Sequence, residues 1–325
     1  MIPEIAPQIA YIILGLALLL IAGDMLVRGA VSLAAALKIP ALLVSLTIVA
    51  FGTSAPELVV TVQAVITGND GIALGNIIGS NIANIFLVLG LPALIYPVTT
   101  HVPGLRRHAV IMLIATAAFL AAAYGPGLID TKIGAGLFVG IIAYVSYMLI
   151  RASSGKADDP ILDEVEEYKV TGGVTLKTVG FLIAGLIGLP LGAHLLVSNG
   201  SSLAYGLGVR EELIGLTIVA FGTSLPELAT VFAAAIHKKS DVAIGGVVGS
   251  NIFNILAVGG AAGLAGTAYF DSESLILDLP VMAIAAVALA AFVISRKDIN
   301  RIWGLIFTLA YVVFMILLAT NAGAF

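Results

Sequence analysis

The chain has 325 residues, of which 60% are hydrophobic and 10% charged; its net charge is −4 and its mean hydropathy +1.13. Soluble domains carry about 25% charged residues, so this composition excludes a water-covered globular protein. Cysteine is absent, which excludes disulfides and thiolate metal sites.

Apolar runs of about 20 residues, each long enough to cross the hydrocarbon layer as a helix, predict an all-α polytopic membrane protein. A transmembrane barrel would show shorter alternating segments. The opening stretch MIPEIAPQIA has no basic residues, so the first run is expected to be a retained span and not a cleaved signal peptide. Five spans are predicted near 7–29, 40–67, 72–96, 107–125 and 129–151, and five more near 177–199, 210–236, 241–266, 275–295 and 302–321. The second and seventh are long, and each is interrupted by a Gly-Thr-Ser-x-Pro-Glu run. The chain thus divides into a first half, 1–151, a linker, 152–176, and a second half, 177–325. The linker carries Asp158, Asp159, Asp163, Glu164, Glu166 and Glu167 without the spacing of an EF-hand loop. It is read as a solvated acidic segment with a short helical turn.

The two halves repeat. LTIVAFGTSAPEL from Leu46 returns as LTIVAFGTSLPEL from Leu216, and GNIIGSNIANI from Gly75 returns as GGVVGSNIFNI from Gly245. The offset is 170 throughout, and it also pairs Gly15 with Gly185 and Ser32-Leu33-Ala34 with Ser202-Leu203-Ala204. Five spans per half is an odd number, so the halves must cross in opposite senses. That is an inverted-topology repeat, a plan that places the binding site near the midplane. Of the fifteen Lys and Arg residues, only Lys132 and Arg210 fall outside the loops on one side. The positive-inside rule makes that side cytoplasmic and turns both termini outward, in the plasma membrane.

Glu57 and Glu227 lie at matching points inside the long apolar runs. Ionisable residues at that depth are costly and mark functional sites. Two facing carboxylates repel unless they are protonated or bridged by a cation. Thr53 and Thr223 each precede a glutamate by one helical turn, and Ser54 and Ser224 are close by. Ser80 and Asn84 are four apart, hence on one helix face; Ser250 and Asn254 repeat that spacing. Every group offers oxygen, which favours Ca²⁺, Mg²⁺ or Na⁺ over Zn²⁺ or Cu²⁺. Pro56 and Pro226 have no N–H, which frees the carbonyls of Gly52 and Gly222. Gly75-x-x-x-Gly79 and Gly245-x-x-x-Gly249 allow close helix approach. Taken singly, the Gly, Ser, Thr and Pro residues are ordinary packing and kink residues. The doubled package with its glutamate favours a cation site. Asp24 and Arg28, four apart, are read as an interfacial ion pair and His194 as packing or interfacial; Asp70 and Asp241 are read as turn residues that attract cations or, equally well, as helix N-terminal caps.

At GTSAPE, GTSLPE and the two GSNIxN runs the chain resembles the sodium/calcium exchanger family of calcium/cation antiporters, as a prokaryotic-type member without regulatory domains. The Gly-Asn-x-x-Glu signature of the proton/calcium branch is absent. The resemblance implies ion ligands at Ala50 (carbonyl), Thr53, Ser54, Glu57, Ser80 and Asn84. It implies the same of Ala220 (carbonyl), Thr223, Ser224, Glu227 and Ser250. Asn254 stands where family members often carry aspartate. The implied function is exchange of Na⁺ for Ca²⁺ by alternating access, with both ions as substrates. No catalytic activity, cofactor or nucleic-acid partner is expected. Membrane lipid is the expected surroundings and a monomer the expected working unit. A proton- or potassium-coupled antiporter is the alternative, and a cation channel a more distant one.

Overall fold

The computed structural model describes residues 2–153, 174–206, 220–272 and 274–321. These residues are almost wholly helical. The first half holds α1 (Ile2–Leu37), α2 (Ala41–Thr53), α3 (Ala55–Ile66), α4 (Asp70–Ile95), α5 (Leu105–Tyr124) and α6 (Thr131–Ser153). The second holds α7 (Leu176–Gly206), α8 (Ala220–Thr223), α9 (Leu225–Ile236), α10 (Ser240–Ala265), α11 (Ser274–Ser295) and α12 (Arg301–Asn321). Among the described residues, eight helices are long and apolar enough to cross a membrane, and α2 with α3 makes a ninth candidate bent by 43°. Of the predicted seventh span only α8 and α9 are described; residues 210–219 lie outside the described residues, as do the acidic residues predicted for the linker.

Two helices overrun their predicted spans. The first span is predicted to end near 29, but α1 continues to Leu37; the sixth is predicted to end near 199, but α7 continues to Gly206. Hydropathy marks only the stretch inside hydrocarbon. The backbone ladder continues past the interface while helix-forming residues such as Ala34, Ala35 and Ala36 follow. It stops where Lys38 adopts a left-handed φ of 55° ahead of Pro40.

Helix α10 is buried along its whole apolar stretch and α4 along most of its length, whereas α1, α6, α7 and α12 bury only a third or less of theirs. The exposed faces of these outer helices carry Ile13, Ile21, Ile142, Ile183, Leu191 and Leu309, residues suited to lipid. Helices α1 and α7 pack on each other through Leu19, Ala22, Leu26, Leu182 and Leu189, in a second hydrophobic cluster that also takes in Val44 and Val49 of α2 and Leu225 and Ala229 of α9. They cross at glycines. A Cβ on Gly15 would lie 2.8 Å from the carbonyl oxygen of Gly192 and from the backbone N of Leu196. One on Gly185 would lie 2.6 Å from Leu26 Cβ and 3.0 Å from the carbonyl oxygen of Ala22.

Those two contacts are one contact with the halves exchanged, since 15, 192 and 196 become 185, 22 and 26 at the offset of 170. The exchange recurs elsewhere. Gly134 abuts Gly260 and Gly263, while Gly304 abuts Gly90 and Ala93. Strand β1 (Leu128–Ile129) pairs antiparallel with β2 (Ala268–Tyr269), placing Ile129 against Ala268; Val98 bridges Ile299 in the same way. The repeat seen in the sequence is therefore a repeat of packing as well.

Candidate functional site

Both Gly-Thr-Ser-x-Pro-Glu runs build the same broken helix. Ser54 has φ −84° and ψ 4°, and Ser224 has φ −85° and ψ 2°. Pro56 and Pro226 fall in the first turns of α3 and α9, where a missing N–H costs nothing. Glu57 and Glu227 sit one residue further on, still in the first turn. There the unpaired N–H groups and the helix dipole favour negative charge.

The breaks bring the two runs together. Glu57 is 1% and Glu227 3% exposed. Ser54 of the first run donates its hydroxyl to Glu227 Oε1 of the second, at 3.4 Å. Thr53 shares a hydrogen bond of 3.3 Å with Ser250 on α10. Asn84 Nδ2 donates to Asn251 Oδ1 at 3.1 Å. Each of these contacts joins one half to the other. The reciprocal contact of Ser224 with Glu57 is not made among the described residues: Ser224 Oγ and both Glu57 oxygens have no hydrogen-bond partner.

Ser80 is 4%, Ser250 0%, Asn84 1% and Asn254 0% exposed, so the predicted Ser–Asn stripes of α4 and α10 both point inward. Asn84 and Asn254 each open a π-helical turn, Asn84–Leu89 and Asn254–Val258, a feature frequent at functional sites. Thr223 is half-buried. The Ala220 carbonyl lies in α8. The Ala50 carbonyl already accepts from Ser54 N–H at 3.0 Å and from the Thr53 hydroxyl at 3.3 Å. An ion there would take the place of the longer bond.

Among the described residues, seven buried oxygens of these helices have no hydrogen-bond partner: both of Glu57, Oε2 of Glu227, Oγ of Ser224, and Oδ1 of Asn81, Asn84 and Asn254. A buried polar atom left unpaired costs about 1–3 kcal/mol, and more when charged. A cation bound among them removes that cost for several oxygens at once. Two carboxylates with neutral oxygens make a hard-cation donor set.

A Cβ on Gly249 would press on Ala50 Cβ and Leu46 Cα at 2.7 and 3.0 Å, so α10 does approach α2 closely. Most of the residues that would face Gly75 and Gly79 at the offset of 170 fall in 211–219, outside the described residues. Arg28 Nε pairs with Asp24 Oδ2 at 2.8 Å, and His237 also contacts Asp24, so the ion pair includes a third member from the other half. His194 is exposed. Asp70 is not a cap: Asn69 holds that position, and Asp70 Oδ2 accepts from Tyr269 N–H at 3.1 Å. Asp241 likewise lies inside α10, with Lys239 at the cap position.

The sequence reading missed Asn81 and Asn251, although their doubling inside the quoted Gly-Ser-Asn runs is a usable signal. It also missed Asn76, which donates to the backbone carbonyl of Glu57 at 3.1 Å and to Thr61 Oγ at 2.8 Å. Its counterpart is Gly246, so a search for doubled residues passes over it.

Similarity to known proteins extends over nearly the whole chain. Residues 7–152 and 177–320 match the family model described as sodium/calcium exchanger protein. The sodium/calcium exchanger MaX1 of Methanosarcina acetivorans is 31% identical, over 94% of this chain and 97% of that protein. The inner membrane protein YrbG of Escherichia coli is 32% identical, over 95% and 96%. A solved structure of the sodium-calcium exchanger NCX_Mj, soaked with zero Na⁺ and Ca²⁺, superposes with a TM-score of 0.81 at 29% identity, covering 96% of this chain and 98% of that one.

Proposed function

Because the chain belongs to the sodium/calcium exchanger protein family, we propose that it exchanges Na⁺ for Ca²⁺ at one site shared by Glu57 and Glu227. The observation that carries this reading is the meeting of two buried carboxylates from opposite halves, with the Ser54 hydroxyl of one half bonded to the Glu227 carboxylate of the other. Ca²⁺ takes both carboxylates together with Thr53, Ser54, Ser80, Asn84 and their counterparts Thr223, Ser224, Ser250 and Asn254. The carbonyls of Ala50 and Ala220 complete the set. Na⁺ ions compete for the same oxygens. Competition forbids joint occupancy, and that couples the two fluxes. The emptied site holds two unscreened charges against a low-dielectric barrier, which opposes the return of an unloaded carrier.

In this reading the protein has ten spans in two five-helix halves, 1–151 and 177–325, of opposite membrane sense, joined by the linker 152–176. The exchange of packing contacts at offset 170 supports it. The termini face outward and the basic loops lie in the cytoplasm. Helices α1 and α7, held together by their close glycine crossing, slide as a pair across the remaining helices to open either side. The monomer suffices.

The test is uptake of radiolabelled Ca²⁺ into proteoliposomes under an imposed Na⁺ gradient. Gradient-driven uptake is expected. Uptake that ignores the Na⁺ gradient counts against exchange, and current without a counter-ion indicates a channel. Substituting H⁺ or K⁺ for Na⁺ identifies the coupling ion. Asn254 gives a second result. Both its side-chain atoms are buried and unpartnered, so Asn254→Asp adds a third acid to the centre. The Na⁺ half-saturation is expected to shift by about 10-fold, equivalent to about 1.4 kcal/mol, or the flux to become pH-dependent. An unchanged Na⁺ and pH profile would make this position a bystander.

A further inference from the structure

At offset 170 every expected ligand has an identical counterpart, from Ala50 and Ala220 to Asn84 and Asn254. The supports behind those ligands do not. Asn76 corresponds to Gly246, and Thr61 to Val231. In the first half the Asn76 amide reaches across from α4 to α3 and brackets its first turns, donating to the carbonyl of Glu57 at 3.1 Å and to Thr61 Oγ at 2.8 Å. Thr61 is fully buried. In the second half Gly246 has no side chain and Val231 no hydroxyl. Thr230 there bonds its own helix, at the carbonyl of Pro226, 2.8 Å away.

The position of Asn76 gives the bracket a consequence. Asn76, Ser80 and Asn84 are spaced by four, on one face of α4. Tying Asn76 to the Glu57 turn therefore fixes the gap between the backbone that carries Glu57 and the face of α4 that carries Ser80 and Asn84. Nothing equivalent ties Glu227 to Ser250 and Asn254 among the described residues.

We propose that Asn76 and Thr61 are positioning residues that make the first half-site a stiff cage, while the second, backed by Gly246 and Val231, is compliant. The stiff half sets the size of ion accepted. Ca²⁺ takes oxygens at about 2.3–2.6 Å and Mg²⁺ demands about 2.0–2.1 Å, so a cage that cannot shrink rejects Mg²⁺. The compliant half adjusts as Na⁺ replaces Ca²⁺. This rests on the exchange reading above.

The experiment measures Na⁺-driven Ca²⁺ uptake in proteoliposomes for the wild-type chain, Asn76→Ala, Thr61→Val, Thr61→Ser and the double variant Asn76→Ala/Thr61→Val. Mg²⁺ is the competitor. Supporting partners of metal ligands typically carry about 10- to 100-fold in affinity. Asn76→Ala is expected to raise the Ca²⁺ half-saturation about 10-fold and to strengthen Mg²⁺ inhibition, with the maximal rate nearly preserved. Thr61→Val moves both in the same direction by less, Thr61→Ser restores them, and the double variant is no worse than Asn76→Ala alone. A uniform loss of rate with unchanged Ca²⁺-over-Mg²⁺ preference would show a merely structural bond and overturn the proposal. If Asn76→Ala does not fold, Thr61→Val against Thr61→Ser decides by the same two readouts. A wild-type protein without Na⁺-driven uptake defeats the exchange reading; normal wild-type exchange with indifferent variants defeats only the stiff cage.

Discussion

Glutamine in place of Glu57 or of Glu227 is expected to abolish Na⁺-driven Ca²⁺ uptake, each alone and both together. Glutamine keeps the shape and one oxygen, so the loss isolates the charge. A divalent ion taken from water into a buried site must recover several kcal/mol of lost hydration, and the two carboxylates are the strongest attraction available to it. Removing one that contributes even about 4 kcal/mol net weakens binding about 1,000-fold. Flux then falls to the level of empty vesicles. Misfolding is a poor explanation for that outcome, because an unpaired buried carboxylate is itself a burden that glutamine relieves. The variants should melt no lower than the wild type in ion-free buffer. They should also lose the Ca²⁺-dependent rise in melting temperature; for the wild type that stabilisation reaches about 2.7 kcal/mol at 100 times Kd. Retained uptake in both single variants would sink the shared site. Loss in only one would mean that a single carboxylate holds the ion.

Much of this arrangement is legible in the sequence because the site is doubled. Glu57 and Glu227 stand out against apolar surroundings, and their common offset with Ser80, Asn84, Ser250 and Asn254 singles out polar residues that the fold also buries. Pro56 and Pro226 signal the break that the structure bends through 43° at Ser54. The doubling hides two other things. It cannot show which halves touch. The bonds from Ser54 to Glu227 and between Thr53 and Ser250 depend on how helices cross, and residues 173 or 197 apart carry no local signal of contact. It also conceals whatever is not repeated. Asn76 looks like an isolated polar residue until its amide is seen on the Glu57 carbonyl. Helix ends are misread for a simpler reason. Apolar run length reports membrane thickness, whereas α1 stops only where Lys38 turns left-handed.

The second large effect is expected from a residue that offers no ligand atom. Gly249 lies on α10 where that helix meets α2, and a Cβ built there falls 2.7 Å from Ala50 Cβ and 3.0 Å from the Cα and carbonyl oxygen of Leu46. Two of those three atoms are backbone, so no side-chain rotation relieves the overlap. Gly249→Val therefore wedges α10 away from α2. Overpacking of this kind costs about 1–3 kcal/mol, which a polytopic protein with this much buried surface can absorb and still fold. The site has less tolerance. Ser250 is the next residue and holds Thr53 by a bond already at 3.3 Å, and Ala50 supplies one of the expected carbonyl ligands. A shift of about 1 Å at such a geometry costs about 100-fold in function. Gly249→Val should thus remain folded and monodisperse, melt a few degrees lower, and transport at no more than about 1% of the wild-type rate. Gly136→Val is the control, since a Cβ at Gly136 on the exposed side of α6 meets no described atom within 4 Å; its flux should match the wild type. Wild-type flux in Gly249→Val would mean that the contact between α2 and α10 does not set the ligand positions, and the site would then have to be held by the α3–α4 and α9–α10 pairs alone.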